Sequence, residues 1–318
     1  MNCSIILCSY NGASKLEATL KAIIQLQTEF DWELLLIDNN STDSTGDIAR
    51  SCLANSEIDY SVLECKTPGK MNAFWLGIRE SKYDFILDCD DDNHLFPDYL
   101  QVGVNYLIEN SKVGALGGHG IVKAHQVPDW FESYAKSYAL GPQGKSGEVM
   151  PTFSHLYGAG CFYRKSILID LAANGFYSLL TCRNGTELSS GGDVELCFAI
   201  QLSGFDLVYL NTLKFHHAIS QDRLSFEYYL KLKAGIASSF PILDSYRISE
   251  FLNVISFINH LMSTEWIALK GLMKSTLFGN SSKRSKIDKV VTITKFKCFF
   301  KNFTLALKGF KRNQKIFR

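Results

Sequence analysis

Residues 85–93, Phe-Ile-Leu-Asp-Cys-Asp-Asp-Asp-Asn, constrain this chain more than any other stretch. The apolar start reads as a buried strand, and its carboxyl end delivers four aspartates and an asparagine to one place. That edge is where open α/β sheets bind ligands. Asp90, Asp91 and Asp92 are consecutive, and three neighbouring carboxylates repel one another at neutral pH. A fold that gathers them usually neutralises them with a divalent cation or a cationic partner. Taken alone, an acidic run fits a solvated turn as well. The rest of the chain decides between the two.

Residues 3–8 form an apolar strand that runs into Ser9-Tyr10-Asn11-Gly12, followed by the helical spacing Leu16, Leu20, Ile23, Ile24. A second strand at 34–37 ends in Asp38-Asn39-Asn40-Ser41-Thr42-Asp43, with Asp43 or a neighbour capping the next helix. Asp38 at this strand end suits either a nucleobase or an ordinary turn. A third strand at 59–64 leads through Thr67-Pro68-Gly69 to a helix opened by Lys70 and Asn72, a place for a phosphate or ribose. Four strands alternating with helices imply a parallel sheet with crossover helices, and all four strand ends then face one edge.

With 318 residues and 46% hydrophobic content, the chain supports one large α/β domain plus an appendage, or two domains. Its nine cysteines contain no CxxC pair, and several sit in apolar runs, so they read as reduced and structural. No charged leader or long apolar segment precedes the first strand, so the expectation is a chain without a signal peptide, located in the cytoplasm. The net charge of +1 hides an asymmetry: residues 270–318 hold fourteen Lys and Arg against the single acid Asp288.

Taken together, the Ser-Tyr-Asn-Gly turn, the segment 38–43, Gly69-Lys70-Met71-Asn72 and the run 90–93 resemble the nucleotide-sugar half of an inverting family 2 glycosyltransferase with the A-type fold. Farther on, Tyr157-Gly158-Ala159-Gly160-Cys161-Phe162 looks like the small-residue strand on the acceptor side. Ser189-Ser190-Gly191-Gly192-Asp193 matches the approach to the base, with Asp193 at a helix start. His217, Ile219, Arg223 and Leu224 fit the pattern His-x-Ile-x-x-x-Arg-Leu. The resemblance covers residues 3–235 and implies a mixed, mainly parallel α/β sheet flanked by helices. It divides the chain into a transferase domain at 1–235, made of a nucleotide-sugar half at 1–110 and an acceptor half at 111–235, and a basic helical region at 236–318.

The resemblance also implies roles. Asp38 lies by the base and Asp90 by the ribose, with Ser9, Tyr10, Asn11, Lys70, Asn72 and Asp91 completing the donor pocket. Asp92 and His217 hold Mn²⁺ or Mg²⁺. Asp193 is the general base for the acceptor hydroxyl, with Glu195 next in line. The donor is a nucleotide diphosphate sugar, with uridine favoured, and the acceptor a saccharide or lipid-linked saccharide in bacterial surface polysaccharide synthesis; no nucleic acid is expected. Residues 228–278 read as helices with apolar faces. The basic stretch at 283–318, with its phenylalanines, suits a cover for the sheet domain, a homodimer contact or an anionic membrane surface, the last being favoured.

Two rivals remain. A sugar-phosphate nucleotidyltransferase needs a basic Gly-rich loop after the first strand, and here no base precedes Lys15. A non-catalytic carbohydrate-binding or assembly protein need not keep Asp90, Asp92, Asp193 and His217 together.

Overall fold

The computed structural model describes residues 2–183, 188–277 and 282–318. Four apolar runs become adjacent parallel strands: β1 (Cys3–Ser9), β2 (Trp32–Asp38), β3 (Asp59–Glu64) and β4 (Phe85–Asp90). The helices α1 (Leu16–Ile24), α2 (Thr45–Leu53) and α3 (Lys70–Glu80) connect them. Successive strand residues point to opposite faces, so Ile5 and Leu7 enter one core layer while Ile6 and Cys8 enter the other. Side chains from α1, α2 and α4 (Tyr99–Glu109) pack the first layer, and those of α3, α5 (Lys165–Ala173) and α6 (Gly192–Leu202) the second.

The register brings the polar strand ends together, with Ser9 opposite Asp38 and Cys8 opposite Asp90. Four further strands complete an eight-stranded mixed sheet: β5 (Asn93–Leu95), β6 (Val113–Lys123), β7 (Cys161–Arg164) and β8 (Asp206–Ala218). Its order is β3-β2-β1-β4-β7-β6-β8-β5, with β7 antiparallel to both neighbours. The short β5 pairs antiparallel with β8, setting Asn93 opposite His217. This pairing carries His217 across the sequence to the acidic turn.

Two local expectations change. The two short strands expected near 205–215 are one strand, but its pairing with β6 shifts register at exposed Asn211 and Thr212: Tyr209 lies opposite Gly117 and Lys214 opposite His119, so residues 210–213 of β8 face Gly118 alone. The small-residue strand expected at 157–162 begins only at Cys161, because Gly160 takes a positive φ of 66° and turns the chain.

After β8 come α7 (Phe226–Ser238), the short α8 (Phe240–Leu243), α9 (Val254–Leu277) and the 35-residue α10 (Lys283–Phe317). The helical expectation extended to residue 278, which lies outside the described residues. Ile248, Phe251, Phe257, Leu261, Phe299, Ala306 and Phe310 form a separate apolar cluster between α9, α10 and the preceding turns. Phe257 and Phe310 stack with ring centroids 4.4 Å apart and an interplanar angle of 5°. Arg312 reaches the Tyr246 hydroxyl at 2.7 Å, and Asn313 donates to the Ser245 carbonyl at 3.1 Å. The basic helix is therefore bound to the body of the protein through its C-terminal half. Phe310→Ala is expected to destabilise the protein by about 3–5 kcal/mol, whereas Phe300→Ala, at a position 65% exposed, should cost under about 0.5 kcal/mol. Urea unfolding of both variants checks this, and equal midpoints would contradict it.

Candidate active site

The strand ends open onto a cavity of about 860 Å³ whose lining includes Ser9, Tyr10, Lys15, Lys70, Asp88, Asp90, Asp91, Asp92, Asp193, His217 and Arg223. Each carboxylate of the acidic run meets a cation from another element. Lys15, at the start of α1, lies 2.5 Å from Asp91 and 3.8 Å from Asp92. Lys70, at the start of α3, lies 2.6 Å from Asp90 and 3.0 Å from Asp88. Gly69, with φ of 117°, gives the backbone the entry angle that an L side chain would oppose, and its N–H donates to Asn39 Oδ1 at 2.8 Å. Arg223 donates to Asp92 Oδ2 at 3.0 Å and to the Tyr228 hydroxyl at 3.1 Å.

Asp92 and His217 face each other, with Oδ1 and Nε2 3.4 Å apart. His217 Nδ1 is 2.8 Å from the Tyr138 carbonyl, which can only accept, so Nδ1 carries the hydrogen. Nε2 faces the Asp92 carboxylate, where either its own N–H or a metal ion held between the two groups joins them. The set fits Mn²⁺ or Mg²⁺: one carboxylate and one imidazole oriented by its own hydrogen bond, leaving the other positions to phosphates and water. Among the described residues, no group of three or more His, Cys, Asp and Glu is arranged to hold an ion. Burial works to raise the Asp92 carboxyl, but His217, Lys15 and Arg223 outweigh it and hold it well below the usual carboxylate range. Burial likewise opposes the Lys70 charge, and Asp88 and Asp90 overcome it, raising the ammonium well above its ordinary value.

Across the cavity, Asp193 sits in the first turn of α6. Its Oδ2 accepts from the Gly158 N–H at 3.1 Å and its Oδ1 from the Val194 N–H at 3.0 Å. Ser9 donates to Asp91 at 2.5 Å, and Tyr10 is exposed at the cavity mouth.

Three residues expected in the donor pocket do not line the cavity. Asn11 Oδ1 accepts from the Thr42 N–H at 2.8 Å, tying the loop after β1 to the loop after β2. Asp38 Oδ1 accepts from the Ser41 N–H at 3.0 Å within its own turn. Asn72 donates to the Pro68 carbonyl at 2.8 Å and borders a smaller cleft of about 300 Å³. Glu195 lies outside the cavity, fully buried, accepting from Tyr246 Oη and the Leu180 N–H at 2.6 Å each. Conversely, the sequence reading gave no role to Lys15, Arg223 or Asp88. The signal for Arg223 was its place in the pattern after His217. Lys15 and Asp88 offered no more than proximity to a motif.

With this geometry in hand, comparison with known proteins becomes informative. The sequence model described as "Glycosyl transferase family 2" matches residues 4–172, more than half of the chain. The chain belongs to glycosyl transferase family 2. It has the mixed α/β architecture of its structural neighbours. Similar curated proteins include the poly-beta-1,6-N-acetyl-D-glucosamine synthase of Staphylococcus aureus (strain COL), 23% identical over 211 residues that cover 65% of this chain and 47% of that protein. The synthase of the same name from Staphylococcus epidermidis is 22% identical over 169 residues, covering 53% of this chain and 40% of that one. The chain thus spans less than half the length of these relatives.

Among solved structures, residues 1–349 of S. aureus TarS in complex with UDP-GlcNAc superpose with a TM-score of 0.54 at 15% identity, covering 96% of this chain and 92% of that chain. The mannosyltransferase PcManGT from Pyrobaculum calidifontis, in complex with GDP-Man and Mn2+, gives a TM-score of 0.56 at 15% identity, with 98% and 85% covered. These likenesses establish the fold.

Burial pushes the Glu195 carboxyl from its ordinary 4.5 up to about 7, against the opposing pull of Tyr246, Leu180 and Arg312. Between those values the native state binds more protons than the unfolded chain, so this group's contribution to stability is lost as pH rises through the window. Glu195→Gln removes the titration and keeps the shape. Melting temperatures across pH 4.5–8 should show the variant gaining on the wild type as pH rises from about 4.5 to 7. Parallel curves would contradict the assignment.

Proposed function

We propose that this chain carries out inverting, metal-dependent transfer of a sugar from a nucleoside diphosphate sugar, with uridine favoured, to a hydroxyl of a saccharide or lipid-linked saccharide. The observation that carries the reading is one cavity lined by two chemically different sets of groups. Asp92, His217, Lys15 and Arg223 gather in one set, and the carboxylate of Asp193 borders the same cavity.

A departing diphosphate gains negative charge, and Asp92 and His217 would hold a divalent ion that would supply Lewis-acid stabilisation of it. Lys15 and Arg223 add fixed positive charge there. Asp90, already paired with Lys70, is the acceptor for ribose hydroxyls. Asp193, oriented by the Gly158 and Val194 N–H groups, takes the proton of the attacking hydroxyl. Ser189, Ser190 and Gly191 border the cavity beside it and limit water at the reacting centre. The names of the curated relatives, both polysaccharide synthases, and the nucleotide sugars in the two neighbouring structures support this reading.

Residues 1–235 are proposed as the transferase domain and 236–318 as an accessory helical region that meets an anionic membrane surface. Support comes from α9, where Ile255, Met262, Trp266 and Met273 are each more than half exposed, and from the basic α10. Among the described residues no helix is long and apolar enough to cross a membrane. Contact of this kind is electrostatic in part, so flotation with phosphatidylserine vesicles should be strong at 0.05 M salt and lost at 1 M, and weakened by Trp266→Ala. Equal recovery with neutral vesicles would count against it.

The chemical assignment is tested by Asp193→Asn. Donor affinity, measured by calorimetry with a nucleotide sugar and Mn²⁺, should stay within about threefold of wild type, while kcat falls by about 10² to 10⁴. A variant that turns over normally would exclude Asp193 as the base.

A further inference from the structure

Asp88, unlike Asp90 and Asp92 of the same acidic strand end, has no part in the reading above. It lies on β4, two residues before Asp90, and is 4% exposed. Its Oδ2 pairs with Lys70 at 3.0 Å, while Oδ1 is buried with no hydrogen-bond partner among the described residues. A buried carboxylate with so few donors is unusual, and this side chain borders the cavity, where Oδ2 can accept a second hydrogen bond from a group that comes from outside. Burial pushes this carboxyl up to about 7 despite Lys70, with Asp90 and Asp193 adding to the rise.

The position defines the partner. A Cβ built on Gly158 would lie 3.2 Å from Asp88 Oδ2, 3.2 Å from Asp193 Cβ and 3.6 Å from Lys70 Nζ. These three side chains therefore converge on a point that stays open because residue 158 is glycine. Lys70 in turn bonds Asp90 at 2.6 Å. The order across the cavity is thus Asp90, Lys70, Asp88, Gly158, Asp193. If Asp90 marks the ribose end and Asp193 the attacked carbon, what lies between them is the transferred sugar.

We infer that Asp88, with Lys70, forms the subsite that reads a hydroxyl of the donor sugar: Asp88 Oδ2, the oxygen beside the open point, accepts the hydroxyl's hydrogen and the Lys70 ammonium donates to a neighbouring sugar oxygen. Asp88 then determines donor specificity and takes no part in proton transfer at the acceptor. This rests on the donor and base positions proposed above.

The test is calorimetry in saturating Mn²⁺ with UDP and with UDP-glucose, UDP-galactose and UDP-N-acetylglucosamine, on wild type, Asp88→Asn and Gly158→Ala. Gly158→Ala changes neither Asp88 nor Lys70 and fills the point of convergence, which keeps the test open if Asp88→Asn does not fold. Both variants should hold UDP within about threefold of wild type. The gain in affinity, or in kcat/KM, that the preferred sugar provides over its epimers should fall by about tenfold or more, because a hydroxyl then meets a mismatched or blocked partner. An unchanged sugar preference overturns the inference, as does an equal loss of UDP and UDP-sugar binding. A wild type that binds UDP but gains nothing from any of the three sugars also overturns it and leaves the nucleotide site standing. A wild type that binds no UDP overturns the donor reading itself, and this inference with it.

Discussion

The structure depends on how four aspartates at one strand end are kept charged or protonated without driving the fold apart. Isolated, buried carboxylates in this number would cost several kcal/mol each. Here Lys15 comes from the loop after β1, Lys70 from the start of α3, His217 from β8 and Arg223 from the turn beyond it. No two of these cations belong to the same strand–helix unit as β4. The acidic cluster is therefore tolerable only when the whole sheet is assembled in its observed order, and the β5–β8 pairing that closes it also delivers His217 to Asp92. Folding and site construction are one event in this part of the molecule.

The elements whose signal is local were legible in the sequence. β1 to β4 are buried apolar runs ended by polar turns, and their order and parallel arrangement follow from the helices between them. Asp193 at a helix start after a Gly pair was legible for the same reason. The ion pairs were not. Lys15 reaches Asp91 across 76 positions and Arg223 reaches Asp92 across 131, and no periodicity in either stretch announces the partner. Asn11 and Asn72, short polar side chains at loop positions, look the same in sequence whether they meet a ligand or bond the backbone beside them. In the structure they join loops or cap turns, the commoner use of such residues. The break expected at Asn211 is present in the pairing and not in the strand: residues 210–213 lose register with β6 while the backbone stays extended.

The C-terminal helices contribute more than a cover. Glu195, two residues after Asp193, is bonded to Tyr246, whose hydroxyl is bonded by Arg312 of α10. Through Leu180 the same carboxylate holds the segment whose Thr181 and Arg183 carbonyls accept the N–H groups of Met71 and Lys70. One buried acid thus connects α10, the helix of the proposed base and the start of the helix that carries Lys70. Arg312 works on this inner face, while Lys283, Lys289, Lys297, Lys301, Lys308 and Lys315 are exposed, so packing and surface attraction occupy different sides of one helix.

The central claim is that the cation-laced carboxylate cluster is built around a diphosphate and a divalent ion. The most direct measurement is the melting temperature of the wild-type protein with UDP, GDP and ADP, each with Mn²⁺ and with EDTA. A ligand bound only by the native state at a hundredfold its Kd stabilises by about 2.7 kcal/mol, enough to move the transition by several degrees. The account predicts that a nucleoside diphosphate raises the melting temperature in Mn²⁺, that EDTA abolishes the rise, and that His217→Ala removes the difference between the two conditions. A rise of equal size in EDTA, or no rise with any nucleoside diphosphate, would contradict it.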